Sequence, residues 1–191
     1  MAKDCIIVGI TGASGIQYGV RAVDVLSDLG YEVHTIISDW AKKTAAAEGY
    51  KDFDLKLRKG SKHVYLEQEM GAAISSSSYQ VRAMLVIPCS IKTLGEISAG
   101  ITSNLISRCA LNMLRTRKDL VLVLREAPLG VIELENALHV TKAGATILPA
   151  SPGFYAHPKT IDDVINFVVG KALDAISVEH EVYKRWNPAK R

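Results

Sequence analysis

Several clusters in the chain combine residue types and spacings that can do chemistry. The first is Thr11-Gly12-Ala13-Ser14-Gly15, preceded by Gly9 and lying between a short apolar run and an amphipathic stretch. Backbone N–H groups and hydroxyls at the start of a helix form an anion site, so a phosphate or the polar edge of a cofactor is expected there; the alternative is a tight turn that needs glycine and binds nothing. The spacing is not G-x-G-x-x-G, and the second apolar run ends in Ser38 where a dinucleotide fold usually carries a ribose-binding acid. No lysine follows Gly15, so the loop is not a nucleotide P-loop.

The second cluster, Cys89-Ser90-Ile91-Lys92-Thr93, offers N–H groups, two hydroxyls and an ammonium to another part of the same ligand. Cys89 reads as a buried, inert thiol, with a nucleophile as the alternative, because no histidine lies near it in sequence to activate it. Arg125-Glu126 places an acid beside a guanidinium, which makes either a tuned proton donor or acceptor or an ordinary surface ion pair. Arg108, Arg115 and Lys171 fall on helical stretches, and with Lys92 and Arg125 they supply more cations than one phosphate needs, so two anionic ligands are expected. Tyr155 and Trp186 are aromatic faces able to stabilise a carbocation and exclude water; for Trp186, packing in the core or at an interface is the competing role. The three cysteines show no C-x-x-C spacing and the five histidines never fall at i, i+4, so neither a disulfide framework nor a metal site is expected.

These residues need a scaffold. Apolar runs at Cys5–Ile10, Tyr31–Ile37, Met84–Ile87, Leu120–Leu124 and Ala145–Leu148 alternate with longer amphipathic stretches, the pattern of a parallel sheet with crossover helices. Ile16 to Leu29 carries Val20, Val23, Leu26 and Leu29 at helical spacing and stops at Gly30. Thr160-x-x-Asp163 opens a last helix with Ile161, Val164, Ile165, Val168, Ala172 and Ile176 as its apolar stripe. Asp52–Val64 reads as helix followed by a loop or short strand, and Ser75–Ser78 as a tight loop. The expected fold is a doubly wound α/β, flavodoxin-like or Rossmann-like three-layer sandwich, whose ligands bind at the C-terminal ends of the strands. Nearly every unusual cluster follows a strand.

The 191 residues are 48% hydrophobic and 23% charged with a formal net charge of +3, the balance of one soluble globular domain spanning 1–191. The small surplus does not make the dense basic face that duplex nucleic acid requires. No apolar stretch approaches the roughly 20 residues of a membrane span, and the N-terminal residues do not resemble a secretory signal, so a cytoplasmic location is expected.

In order and separation, Ile7-Val8-Gly9-Ile10-Thr11-Gly12-Ala13-Ser14-Gly15, Pro88-Cys89-Ser90-Ile91-Lys92-Thr93-Leu94, Arg125-Glu126-Ala127-Pro128-Leu129 and Phe154-Tyr155-x-x-Pro158 closely resemble the UbiX-type flavin prenyltransferases, a family that includes B subunits of hydroxyarylic acid decarboxylases. The likeness runs to Arg185-Trp186. It implies a metal-independent transferase that moves a dimethylallyl group from dimethylallyl phosphate to N5 and C6 of reduced FMN, making prenylated FMN for a UbiD-type decarboxylase. Carried over by position, it implies FMN contacts at Gly12, Ala13, Ser14, Ser38, Ser90, Ile91, Lys92, Thr93 and Arg125. The prenyl phosphate falls to Tyr155, Lys171, Arg108 and Arg115, catalysis to Glu126 as acid/base with Ser14, and the face of the allylic cation to Trp186. Arg115 and Lys171 depart from the family, which commonly has Lys at the first position and Arg at the second; Ser77 stands where Gly is usual and Tyr79 where Phe is common. The resemblance also implies a large homo-oligomer, typically a dodecamer, with residues 177–191 as a tail at a subunit interface. Two other functions compete, an FMN-dependent decarboxylase of the cysteine decarboxylase type and an FMN carrier.

Overall fold

The structure is a computed structural model that describes residues 4–186. Six strands form one parallel sheet: β1 (Cys5–Ile10), β2 (Glu32–Ile37), β3 (His63–Leu66), β4 (Ala83–Cys89), β5 (Asp119–Leu124) and β6 (Thr146–Pro149), in the order β3-β2-β1-β4-β5-β6. The helices are α1 (Ile16–Asp28), α2 (Asp39–Ala47), α3 (Phe53–Gly60), α4 (Ile91–Ser98), α5 (Leu105–Arg115), α6 (Val131–Lys142) and α7 (Ile161–Asp174). The ambiguous stretch Asp52–Val64 resolves into α3 and the start of β3, an edge strand of four half-exposed residues too short and too polar to stand out as an apolar run.

Alternation along the central strands builds two cores. Ile6, Val8 and Ile10 of β1 and Ala83, Leu85 and Ile87 of β4 face α1, α2, α3 and α7, whereas Cys5, Ile7, Met84 and Val86 face α4, α5 and α6. Covering both faces is why these strands are uninterruptedly apolar. Gly15 precedes α1 at φ 93°, a left-handed backbone that a side chain at this position would strain. Thr160 caps α7 by accepting from the Asp163 amide, with the Asp163 carboxylate reaching back, as the T-x-x-D pattern predicts.

The strand order reverses between β1 and β4. There the first crossovers leave in opposite directions and open a crevice at the C-terminal ends of the strands.

Candidate functional site

That crevice is laced together by side chains from the predicted loops. The Thr11 hydroxyl donates to the Pro88 carbonyl at 2.7 Å and accepts from the Ser90 amide at 2.9 Å, pinning the loop after β1 to the loop after β4. Thr44 of α2 donates to the Gly12 carbonyl at 2.9 Å, and Arg125 Nε donates to the Ser14 carbonyl at 3.1 Å. Gly12, Ala13, Ser14, Ser38, Ser90 and Arg125 therefore belong to one connected rim. Ser38 and Ser90 cap α2 and α4 by accepting from the Ala41 and Thr93 amides, and Thr93 is within 3.1 Å of the Ser90 hydroxyl. Ile91 is half exposed in the first turn of α4, while Lys92 points along its own helix to Glu96 at 3.2 Å.

Two residues that sequence reasoning missed show that the rim attracts anions. The Glu48 carboxylate accepts from the Gly15 and Ile16 amides, at 2.7 and 3.2 Å, at the N-terminus of α1. Glu67 accepts from the Asp39 amide at 2.8 Å at the N-terminus of α2. Two carboxylates thus sit where orphan N–H groups and helix dipoles favour negative charge. Neither lies in a recognisable motif; only the fold brings each of them to a helix about 30 residues away in the chain.

Glu126, the expected acid/base, follows β5 and is exposed, its carboxylate accepting from the Ala127 amide at 3.0 Å. Arg125 turns instead to Ser14, so the two neighbours serve different parts of the rim. Cys89 is fully buried at the end of β4, and burial pushes its thiol up to about 12, the state of an inert thiol.

The four residues expected at the prenyl phosphate divide into two groups. Arg108 Nε donates to the Ser75 carbonyl at 3.2 Å, and Arg115 bonds Asn112, whose amide donates to the same carbonyl at 2.9 Å. Both arginines lie on α5. Tyr155, by contrast, stacks edge-on with Phe167 of α7 and with Trp186, at 5.7 and 5.4 Å between centroids. Lys171 lies over Tyr183 at 5.8 Å. The tail is clamped through Asp174, which accepts from Tyr183 at 2.7 Å and from both Arg185 terminal nitrogens at 2.7 and 3.1 Å. Burial alone would raise the Asp174 pKa, but the hydrogen bonds from Arg185 and Tyr183 hold it below the usual carboxylate range. Burial, reinforced by the bond to Asp174, pushes Tyr183 up to about 12.

α5 and α7 cover opposite faces of the sheet, and Arg115 and Lys171 occupy their last turns. A helix that returns from a strand's C-terminal end has its last turn near the N-terminal ends. Consistent with this, the residues just beyond α7, Ile176 and Ser177, meet Arg82 at the start of β4 through their carbonyls. Within one chain the expected phosphate ligands therefore do not gather into a single cleft with the glycine loop. The sequence placed them together by kinship alone.

The chain resembles known proteins over nearly its whole length. A family model described as Flavoprotein matches residues 1–173. A flavin prenyltransferase UbiX of Saccharolobus solfataricus is 55% identical over 95% of this chain and 91% of its own length. A UbiX protein solved with FMN and dimethylallyl pyrophosphate superposes with a TM-score of 0.94 at 39% identity, covering 97% of this chain and 98% of that one. A dodecameric FMN-dependent UbiX-like decarboxylase from Escherichia coli O157:H7 superposes with a TM-score of 0.91 at 38% identity, covering 96% of this chain and 99% of that one. A peptidyl-cysteine decarboxylase, at 14% identity and a TM-score of 0.66, shares the fold alone. With a family model over nine-tenths of its length and a relative more than half identical, the chain belongs to the flavoprotein family and, within it, to the UbiX flavin prenyltransferases.

Proposed function

We propose that this chain is a flavin prenyltransferase that joins a dimethylallyl group to N5 and C6 of reduced FMN, producing prenylated FMN for a UbiD-type decarboxylase. The observation that carries this reading is the near-complete likeness to a UbiX protein solved with both FMN and a dimethylallyl phosphate ester. The chain's own residues fit such a pair of ligands. Glu48 and Glu67 already take first-turn amides of α1 and α2, so the flavin phosphate falls to the remaining amides and hydroxyls of the rim. The bound flavin supplies the nucleophilic ring atoms. Gly12, Ala13, Ser14, Ser38, Ser90, Ile91, Thr93 and Arg125 hold it at the rim, with Lys92 leaving Glu96 to join them. Arg125, braced against the loop after β1, fixes the register of the rim against the end of β5. Glu126, exposed at the strand end, exchanges protons with the departing phosphate and the flavin ring, Ser14 assists, and Tyr155 and Trp186 line an apolar wall that excludes water around the allyl group. Catalysis in this arrangement is positioning and charge stabilisation without a metal.

The separation of Arg108 and Arg115 from Tyr155 and Lys171 supports assembly of the phosphate site between copies of the chain, in a homo-oligomer built like the dodecameric relative. Residues 177–191 then form interface, with 187–191 lying outside the described residues. The chain is read as one flavoprotein domain acting in the cytoplasm; no helix among the described residues is long and apolar enough to cross a membrane. The reading as a decarboxylase of the cysteine decarboxylase type lacks a comparable observation, because those proteins share only the fold.

Anaerobic incubation with reduced FMN and dimethylallyl phosphate, followed by mass analysis of the bound flavin, tests the reading. A gain of one prenyl unit is expected; unmodified flavin with both dimethylallyl phosphate and the pyrophosphate at saturation overturns it, and a carrier would give that same unmodified flavin. Glu126→Gln is expected to keep FMN and slow turnover, and unchanged turnover removes Glu126 from the mechanism.

A further inference from the structure

At the opposite end of the sheet from the flavin rim, the parallel register brings unlike donor groups together. Cys5 of β1 lies beside Glu32 of β2, and His34, two residues further along β2, shares Glu32's face. One ligand atom from each of Cys5, Glu32 and His34 lies within 4.8 Å of the others. His34 is 2% exposed and Cys5 7%, while an open cleft of about 700 Å³ lined by Cys5, Glu32, Tyr79, Arg82 and Lys118 reaches the cluster from solvent. Neither the flavin site nor the prenyl site uses any of the three.

We propose that Cys5, Glu32 and His34 bind one divalent ion of the zinc class, with a water from the cleft as fourth ligand. Thiolate, imidazole and carboxylate are zinc's preferred donors. Ligand atoms around tetrahedral zinc sit about 3.3–3.8 Å apart, so closure from the observed spacing requires shifts on the order of 1 Å. Part of the surrounding shell is already in place: Tyr65 lies 3.2 Å from His34 Nδ1 and orients the ring, and one Glu32 oxygen lies 3.0 Å from His34 Nε2, while Lys62, at 2.7 Å from the other Glu32 oxygen, competes with a cation for the carboxylate.

The proton balance is simple. Without metal, the ring proton of a neutral His34 can sit on Nε2, which lies 3.0 Å from the Glu32 carboxylate. On binding, Nε2 takes the metal, the ring proton moves to Nδ1 and donates to the Tyr65 oxygen, and the Cys5 thiol gives up its proton to solvent. One proton leaves per ion bound. Lys62, Lys118 and Arg82 oppose a dication at this point, so removing the nearest ammonium strengthens the site. A metal here ties β1 to β2 and carries no step of the prenyl transfer.

The test uses full-length protein stripped with chelator and titrated with Co²⁺, then with Zn²⁺, recording difference spectra against any bound flavin. We expect one Co²⁺ per chain, a sulfur-to-cobalt charge-transfer band in the near ultraviolet, and its displacement by Zn²⁺. Cys5→Ser is expected to abolish the band and weaken Zn²⁺ at least tenfold. Lys62→Met, at a half-exposed position that leaves the core intact, is expected to tighten binding several-fold, a gain that misfolding cannot mimic. Absence of a Cys5-dependent band in both the wild type and Lys62→Met overturns the proposal, as does Zn²⁺ binding that Cys5→Ser leaves unchanged.

Discussion

Replacing Gly12 with alanine tests whether the flavin rim depends on close contact between two loops. A Cβ added at Gly12 would lie 2.4 Å from Trp40 Cβ and 3.2 and 3.3 Å from the Trp40 carbonyl carbon and Cα, all in the first turn of α2. These atoms belong to backbone or are fixed to it, so no rotamer change removes the collision, and ordinary contact returns only if the two segments separate by at least 1 Å. α2 resists that movement. The Ser38 amide bonds the Ile10 carbonyl at 3.0 Å, the Asp39 amide bonds Glu67, and Thr44 holds the Gly12 carbonyl itself. Overpacking of this kind costs about 1–3 kcal/mol. In a chain of this length that lowers the melting temperature by about 2–12 °C. If the loops separate instead, the displaced rim loses about 10- to 100-fold in FMN affinity, at about 1.4 kcal/mol per tenfold. Flavin fluorescence titration and a melting curve on the same sample read both effects. Gly30→Ala is the control: at φ 85° with nothing within 4 Å, it carries backbone strain of about 1 kcal/mol and is expected to shift melting without touching FMN affinity. Wild-type melting together with wild-type FMN affinity in Gly12→Ala would mean that the two loops do not depend on this close contact.

Glu48→Gln replaces two charge-assisted hydrogen bonds at the α1 N-terminus with weaker neutral ones, and is expected to lower melting by about 2–8 °C at roughly 1–2 kcal/mol, read by calorimetry. Asp174 has a folded pKa below its unfolded value, so the clamp's stabilisation is complete above the unfolded pKa near 3.8 and fades as pH falls through the folded value. Melting followed from pH 6 downward is expected to fall less steeply in Asp174→Asn than in the wild type in that acidic range; parallel curves would contradict the assignment. Cys89→Ser is expected to leave turnover within a fewfold, and thiol reagents are expected to spare Cys89 in the native protein, which peptide mapping after alkylation reads directly.

Much of the scaffold was legible because parallel strands covered on both faces must be apolar along their whole length. The central strands β1, β4 and β5 announced themselves in this way, and β6, an edge strand, showed through its short apolar run, whereas β3, the other edge, carrying His63 and Tyr65, did not. Capping residues were readable for the same local reason: Thr160 and Asp163 satisfy amides of the turn they begin. Glu48 and Glu67 were not readable, since each bonds a helix that is remote in sequence or separated by a strand, and nothing local marks them.

Read in a line, the chain specifies a doubly wound sheet, and its ordered motifs specify its family, because periodicity and motif spacing are properties of the sequence alone. Only the tertiary structure decided where the charges go. The cations that the sequence counts as one surplus are divided between a rim partner at Arg125, a pair on α5, and a lysine at the far end of α7 on the other face. The same register that builds the sheet sets Cys5, Glu32 and His34 side by side, though no sequence spacing relates them, because hydrogen bonding between strands joins residues that the chain keeps apart.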